Sequence, residues 1–172
     1  MVAGSSLEGR LLVAGPLMSD PNFARTVVLT LSHSPEGSLG VVLDRPGEMP
    51  VAAALPKWEQ ATSEPRVVFR GGPVEPAATI GIARTGNQVA TVDLAAGPVE
   101  GVADAVRLFS GYAGWGPGQL EMEVSVGAWI VVDAEPGDAF SRHPERLWRS
   151  VLRRQHGDAA LLSAFPDDPS AN

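Results

Sequence analysis

No cysteine occurs in the 172 residues, which excludes a disulfide framework, a thiolate metal site and a cysteine nucleophile together. Histidine is nearly as scarce. His33, His143 and His156 are the only three, and no two stand four residues apart, the spacing that sets two imidazoles on one helix face. A structural zinc site is therefore not expected, and no other cofactor is implied. Lys57 is the only lysine, so nearly all positive charge is arginine, which suits fixed, forked ion pairs better than loose attraction of a polyanion. Long apolar runs are missing too. Leu7 to Leu17 is too short and too interrupted by glycine and proline to span a bilayer, and Met1 to Glu8 has no basic residue ahead of a signal-length apolar stretch. The expected location is the cytoplasm, without membrane contact.

Several reaction classes lose their motifs as well. A serine hydrolase wants Gly-x-Ser-x-Gly on a strand-to-helix turn, and no such run exists; Ser38, in Glu36-Gly37-Ser38-Leu39-Gly40, reads as a hairpin residue. Neither a Gly-Lys-Ser/Thr phosphate loop nor a complete Gly-x-Gly-x-x-Gly is present, since Gln119 stands where the last glycine of that pattern belongs.

What remains is the composition of a packed domain: 44% hydrophobic and 19% charged residues, with a net charge of −7 and a pI near 4.9. The mean field repels phosphate backbones, so direct DNA binding is not expected. The length suits one domain, taken as 1–165, followed by a Pro- and Asp-rich tail, 166–172, with no apolar periodicity and so expected to be mobile.

Along the chain, Leu11 to Ala14 reads as a buried strand closed by Gly15-Pro16. Val27–Leu31 and Leu39–Leu43 read as a hairpin around Ser34-Pro35-Glu36-Gly37. Val51–Leu55 favours a short helix stopped by Pro56, and Val67–Phe69 a strand. Thr79–Ala83 and Gln88–Val92 flank the tight turn at Gly86-Asn87. Val99–Ala105 is expected to form a helical turn or two and Val106–Tyr112 a strand, with helices over Gln119–Ser125 and Pro144–Gln155 enclosing a strand at Trp129–Asp133. In the last helix Leu147, Trp148, Val151 and Leu152 share one face. Strands outnumber helices and several connections are hairpins. The fold class is therefore α+β, a single domain with a mixed, largely antiparallel, coiled sheet flanked by a few helices.

The most distinctive stretch is Gly111-Tyr112-Ala113-Gly114-Trp115-Gly116-Pro117-Gly118-Gln119-Leu120-Glu121. It reads as a loop whose glycines let Tyr112 and Trp115 dock in the core. This run closely resembles the signature of the AlgH/YqgE family of small bacterial proteins, and the likeness recurs at Gly9–Val28, Leu39–Pro46, Gly71–Val74 and Asp167–Pro169. The resemblance implies coiled sheets flanked by helices. It also implies a regulatory role, since some members are called transcriptional regulators. The family pattern usually has an acidic residue before the histidine and asparagine after the strand; here Ser32 and Asp44 stand there.

Candidate ligand-binding residues are His33, Asp44, Arg45, Arg70, Trp115, Gln119 and Glu121. His33 with Asp20 or Asp44 has the makings of a general base and its orienting acid. Arg45 and Arg70 each adjoin a proline-bearing turn, facing Gln119, Glu121 and Glu123, and are able to fork to a small anionic ligand or to hold those turns closed. Arg45 is expected to serve a ligand and Arg70 the structure. Arg146, Arg149 and Arg153 form a basic stripe on the last helix, the one candidate nucleic-acid surface, though a solvated face is the default for such a stripe. The reading is a non-enzymatic binding or regulatory module acting through a protein partner or a small anionic ligand. The alternative is an enzyme or small-molecule binder built around His33, Arg45, Arg70 and residues 111–121.

Overall fold

β-branched runs separated by Gly/Pro turns give this chain nine strands within residues 5–167, the part that the computed structural model describes. They are β1 Leu11–Ala14, β2 Val27–Ser34, β3 Gly37–Val42, β4 Pro46–Pro50, β5 Val67–Arg70, β6 Val74–Thr85, β7 Gln88–Val92, β8 Ala105–Trp115 and β9 Trp129–Val132. Four short helices accompany them: α1 Val51–Ala54, α2 Gln119–Ser125, α3 Leu147–Arg153 and α4 Asp158–Leu162. Among the described residues no helix is long and apolar enough to cross a membrane. The expected tail, 166–172, lies outside the described residues from 168 onward.

The strands form one sheet in the order β4-β5-β8-β3-β2-β1-β9, with β6 joined to β8 and β7 to β6. Every pairing is antiparallel except β5 with β8. This is the mixed, largely antiparallel α+β domain that the hairpin count implied.

Strand β8 is the hub. Residues Ala113–Trp115 pair with β3, Phe109 and Ser110 with β5, and the stretch from Ala105 to Tyr112 with β6. Two glycine sites make this sharing possible. Gly111 has φ +72°, and a Cβ there would lie 2.5 Å from the Gly72 carbonyl oxygen, while one on Gly72 would collide with the Tyr112 carbonyl. The Gly71-Gly72 and Gly111-Tyr112 segments are thus two sides of one backbone crossing that no larger residue permits.

Period-two alternation then sorts the side chains onto two faces. Leu11, Val13, Val27, Leu29, Val41 and Leu43 pack toward Leu147, Trp148, Val151 and Leu152 of α3. Leu12, Ala14, Val28 and Val42 pack on the other side with Ala113, Trp115, Leu120 and Trp129. Burial on both faces explains why β1 reads as an unbroken apolar run rather than an alternating one. Trp148 anchors α3 by donating its indole N–H to the Ala14 carbonyl at 2.9 Å.

Three sequence expectations need correction. Val99–Ala105 forms no helix; Gly101 takes positive φ there, and the chain runs as an open turn until β8 begins at Ala105. The presumed 111–121 loop is strand as far as Trp115, because pairing with β3 satisfies its backbone and outweighs the weak strand propensity of its glycines. The last helix begins as a 3-10 turn over Pro144–Arg146 before α3 proper. Strand β4, proline at both ends, and helix α4 had no clear signal in the sequence.

Candidate functional site

Four of the seven candidate residues, His33, Trp115, Gln119 and Glu121, come together where α2 meets the hairpin end of β2 and β3 and the end of β8; Asp44 and Arg45 lie at the other end of β3, beside the turn that precedes β2. Trp115 is 6% exposed and Trp129 2%. The two indoles meet edge to face at 5.9 Å, and Phe23 stacks on Trp115 at 6.3 Å and meets Trp129 edge-on at 5.6 Å. Offset and edge-on contacts of this kind add to simple burial. Both indole N–H groups donate to one oxygen of Glu123, from Trp115 at 2.8 Å and from Trp129 at 3.0 Å. Gln119 donates to the other Glu123 oxygen at 3.1 Å and accepts the Gly116 N–H at 3.0 Å. One turn of α2 therefore closes the strand end that carries Trp115.

His33 lies beside this closure. Its Nδ1 shares a 2.7 Å hydrogen bond with Ser38 Oγ across the β2–β3 hairpin, and its Nε2 lies 3.1 Å from Glu121 Oε1. The expected partners, Asp20 and Asp44, make no contact with it. Asp20 instead accepts the Asn22 N–H within its own turn. Asp44 accepts the Val27 N–H at 3.0 Å. Burial pushes the Asp44 carboxyl up to about 7, against the opposing pull of that N–H and of Arg45.

The two arginines differ in what their side chains touch. Arg45 donates to the carbonyls of Pro21 at 2.7 Å and Ala24 at 2.8 Å, so it clamps the turn that presents Phe23 to the tryptophans. Arg70, at the exposed end of β5, makes no side-chain hydrogen bond or ion pair among the described residues. A residue directly after a strand is well placed to project a ligand contact, but here carbonyl acceptors of a neighbouring turn lie within its reach. Proximity of that turn is a tertiary fact.

The basic stripe is also divided. Arg149 donates to the Ser163 carbonyl and to Asp167, and Arg154 forks to Asp138 with both bonds at 2.7 Å. Arg146 and Arg153 remain exposed.

Sequence reasoning missed three members of the cluster. Phe23 and Trp129 carry no periodic signal that ties them to Trp115, and Ser38 looked like an ordinary turn residue. A pattern of Trp, Glu and Trp at 115, 123 and 129 was the only available hint. Among the described residues no group of three or more His, Asp or Glu side chains is arranged to hold a metal ion.

None of the seven candidates lines either of two clefts of ligand size. One, of about 380 Å³, opens between the β1–β2 end, the β6–β7 hairpin and residues 134–139. The other, of about 530 Å³, lies under the 96–103 loop against Trp58 and Val106.

Comparison with known proteins agrees with the fold. A UPF0301 protein of Streptomyces coelicolor is 50% identical over all of this chain and 98% of its own length. One of Thermobifida fusca is 43% identical, covering 97% of this chain and 96% of that one. The crystal structure of a protein from Corynebacterium diphtheriae superposes with a TM-score of 0.89 at 31% identity, covering 96% and 95% of the two chains. The solution structure of the AlgH protein from Pseudomonas aeruginosa matches with a TM-score of 0.68 at 28% identity, over 95% of this chain and 96% of that one. A family model described as AlgH-like matches residues 11–160; spanning most of the chain, that match shows that the protein belongs to the AlgH-like family.

Proposed function

We propose that this protein is a cytoplasmic, non-enzymatic binding module that exerts a regulatory effect through a protein partner or a small ligand. The observation that carries this reading is the mutual commitment of the family signature. His33, Trp115, Gln119 and Glu121 contact one another's elements, and Arg45 the turn that carries Phe23, rather than a hollow, while ligand-sized space lies elsewhere. A built scaffold with separate clefts suits recognition. Direct operator binding is disfavoured by the net charge of −7 and by the pairing of Arg149 and Arg154 to carboxylates. An anionic ligand held by Arg45 is disfavoured because that guanidinium is already engaged.

The second reading, catalysis, is favoured by one geometric fact: Ser38, His33 and Glu121 form a chain at 2.7 and 3.1 Å, the order nucleophile, base, orienting acid. Against it, Ser38 is 8% exposed and lines neither cleft. A fluorophosphonate probe separates the two readings. The binding-module reading expects no labelling of Ser38 and recovery of bound metabolites unchanged. Covalent labelling of Ser38 that His33→Ala abolishes would overturn it.

A further inference from the structure

We infer that the free edge of β7, with the 380 Å³ cleft beside it, is a docking site for an extended peptide segment of a partner protein, which adds to the sheet as one more strand and seats an aliphatic side chain in the cleft. This names the partner chemistry of the binding-module reading and rests on it. Strand β7 pairs with β6 alone, in continuous register from Gly81 with Val92 to Thr85 with Gln88. The pair that closes a two-residue turn exchanges both hydrogen bonds, and bonded and non-bonded pairs alternate from there. Val89 and Thr91 therefore turn their backbone N–H and C=O groups away from β6. Those groups have no partner among the described residues.

An independent observation is that this edge is unguarded where the others are not. Among the described residues β4, β7 and β9 each have a single neighbour in the sheet. Strand β4 has Pro46 and Pro50 at its ends, Glu48 between them and a break in register against β5. Strand β9 is four residues long, and Arg154 donates at 3.3 Å to the carbonyl of Asp133, just past its end. Proline, charge, irregular register and short length are the devices that keep a free edge from pairing with another chain. Strand β7, Gln88-Val89-Ala90-Thr91-Val92, has no charged residue, no proline and no break in register.

The cleft adds a preference of side chain to the backbone pairing. Thr91 stands opposite Ile82 and Val89 opposite Arg84, so the side chains of Val89 and Thr91 share the face of the sheet that carries Ile82 into the main core. The cleft opens on that face, between the β6-β7 hairpin, Leu29 and Leu31 of β2, and residues 134–139. A strand added about 4.8 Å beyond β7 continues the pleat, so every second side chain of it points to the cleft and the others to solvent. A second copy of this chain, paired antiparallel through β7 about a twofold axis, would bring its own 134–139 segment to the same face of the sheet. A peptide has no such bulk behind its strand.

The test titrates the full-length ¹⁵N-labelled protein with the peptide acetyl-Lys-Thr-Val-Thr-Leu-Thr-Lys-amide, whose valine and leucine share one face and whose lysines keep it in solution. Binding is expected to shift the amide resonances of Leu31, Val89, Thr91 and Ala134 and to slow hydrogen exchange at the Val89 and Thr91 N–H groups, while Ala90, already paired with Ala83, changes little. The same peptide with aspartate in place of valine and leucine should bind at least about tenfold more weakly. N-methylation of alternate residues removes the donors from one edge of the peptide at a time; one set should weaken binding about tenfold and the other leave it nearly unchanged. Thr91→Pro removes an outward N–H and should weaken binding about fivefold, its dispersed spectrum verifying the fold. The methylated peptides alter only the ligand and decide the matter if that variant does not fold. No shift around β7 at millimolar peptide, equal tolerance of both methylated sets, or undiminished binding of the aspartate peptide would each overturn the inference. So would concentration-dependent dimerisation that protects Val89 and Thr91 without peptide, since a second copy would then hold the edge. The probe-labelling result at Ser38 is independent of all of these, so failure at this edge and failure of the binding-module reading are separately visible.

Discussion

The Arg107 guanidinium lies flat over the Phe69 ring, 4.2 Å from its centroid, at a position with 0% exposure. Among the described residues no carboxylate pairs with it. Its five N–H donors go instead to five different carbonyls, those of Ala139, Ser63, Pro65, Glu64 and Ser141. Arginine carries five donors, so the group is saturated. Burial lowers its pKa to about 10, which still leaves it charged at neutral pH. This residue ties the 63–65 and 139–141 segments to the hub strand β8.

Removing that tie should be expensive. Arg107→Met leaves five carbonyls without their donor, that of Ala139 buried and the others part-buried, and is expected to cost about 3–5 kcal/mol, the range for breaking a buried charged network. Arg107→Lys should recover only part, since an ammonium has three donors and no fork. Urea denaturation of both variants checks this; a loss below 1 kcal/mol for Arg107→Met, a value of about surface size, contradicts it.

The aromatic cluster predicts coupling. Trp115→Ala should destabilise by about 3–5 kcal/mol, as truncation of a packed large aromatic does. Glu123→Leu strands both indole N–H groups. Because the two residues share a hydrogen bond, the double variant should lose measurably less than the sum of the singles. Strict additivity in a denaturation cycle would show that the Glu123 contact contributes nothing.

Asp44 sets a pH dependence with a defined sign. Its carboxyl titrates near 7 in the folded protein, against 3.8 ordinarily. Between those values the folded state holds the proton more tightly than the unfolded one, so stability falls as pH rises from about 4 to 7 and is level above. The upper bound is about 4 kcal/mol, from about 1.4 kcal/mol per unit. Asp44→Asn keeps an oxygen for the Val27 N–H and removes the charge. It should therefore flatten this slope and melt higher than the parent at pH 8. Thermal melts across that pH range decide the matter, and a parallel, unflattened profile for the variant counts against the assignment.

Arg45 and Arg70 give a paired contrast. Arg45→Ala removes both clamps on the Phe23 turn and should lower the melting temperature of the ligand-free protein. Arg70→Ala, at a free exposed position, should lie within about 0.5 kcal/mol of the parent. Equal melting temperatures for the two variants would mean that the Pro21 and Ala24 contacts do not stabilise the fold.

The sequence by itself determined the elements whose signal is local. The absence of cysteine ruled out thiolate chemistry. The Val27–Leu31 and Leu39–Leu43 hairpin, the tight turn at Gly86-Asn87, and the α2 bounds Gln119–Ser125 all follow from propensity and turn chemistry within a few residues. The apolar face of α3 follows from period alone. Tertiary structure decided what depends on contacts distant in the chain. Residues 111–115 are strand because β3 and β6 supply partners. Arg45 is a clamp because the 20–25 turn folds within its reach, and Arg107 is buried because carbonyls 32 to 44 residues away converge on it. His33 finds Ser38 and Glu121 rather than an aspartate. The smaller cleft joins Glu8 with Glu135, residues that no local pattern connects. Propensity and periodicity act over a few residues, whereas the partner of a side chain is set by how the strands pack, and only the folded chain fixes that.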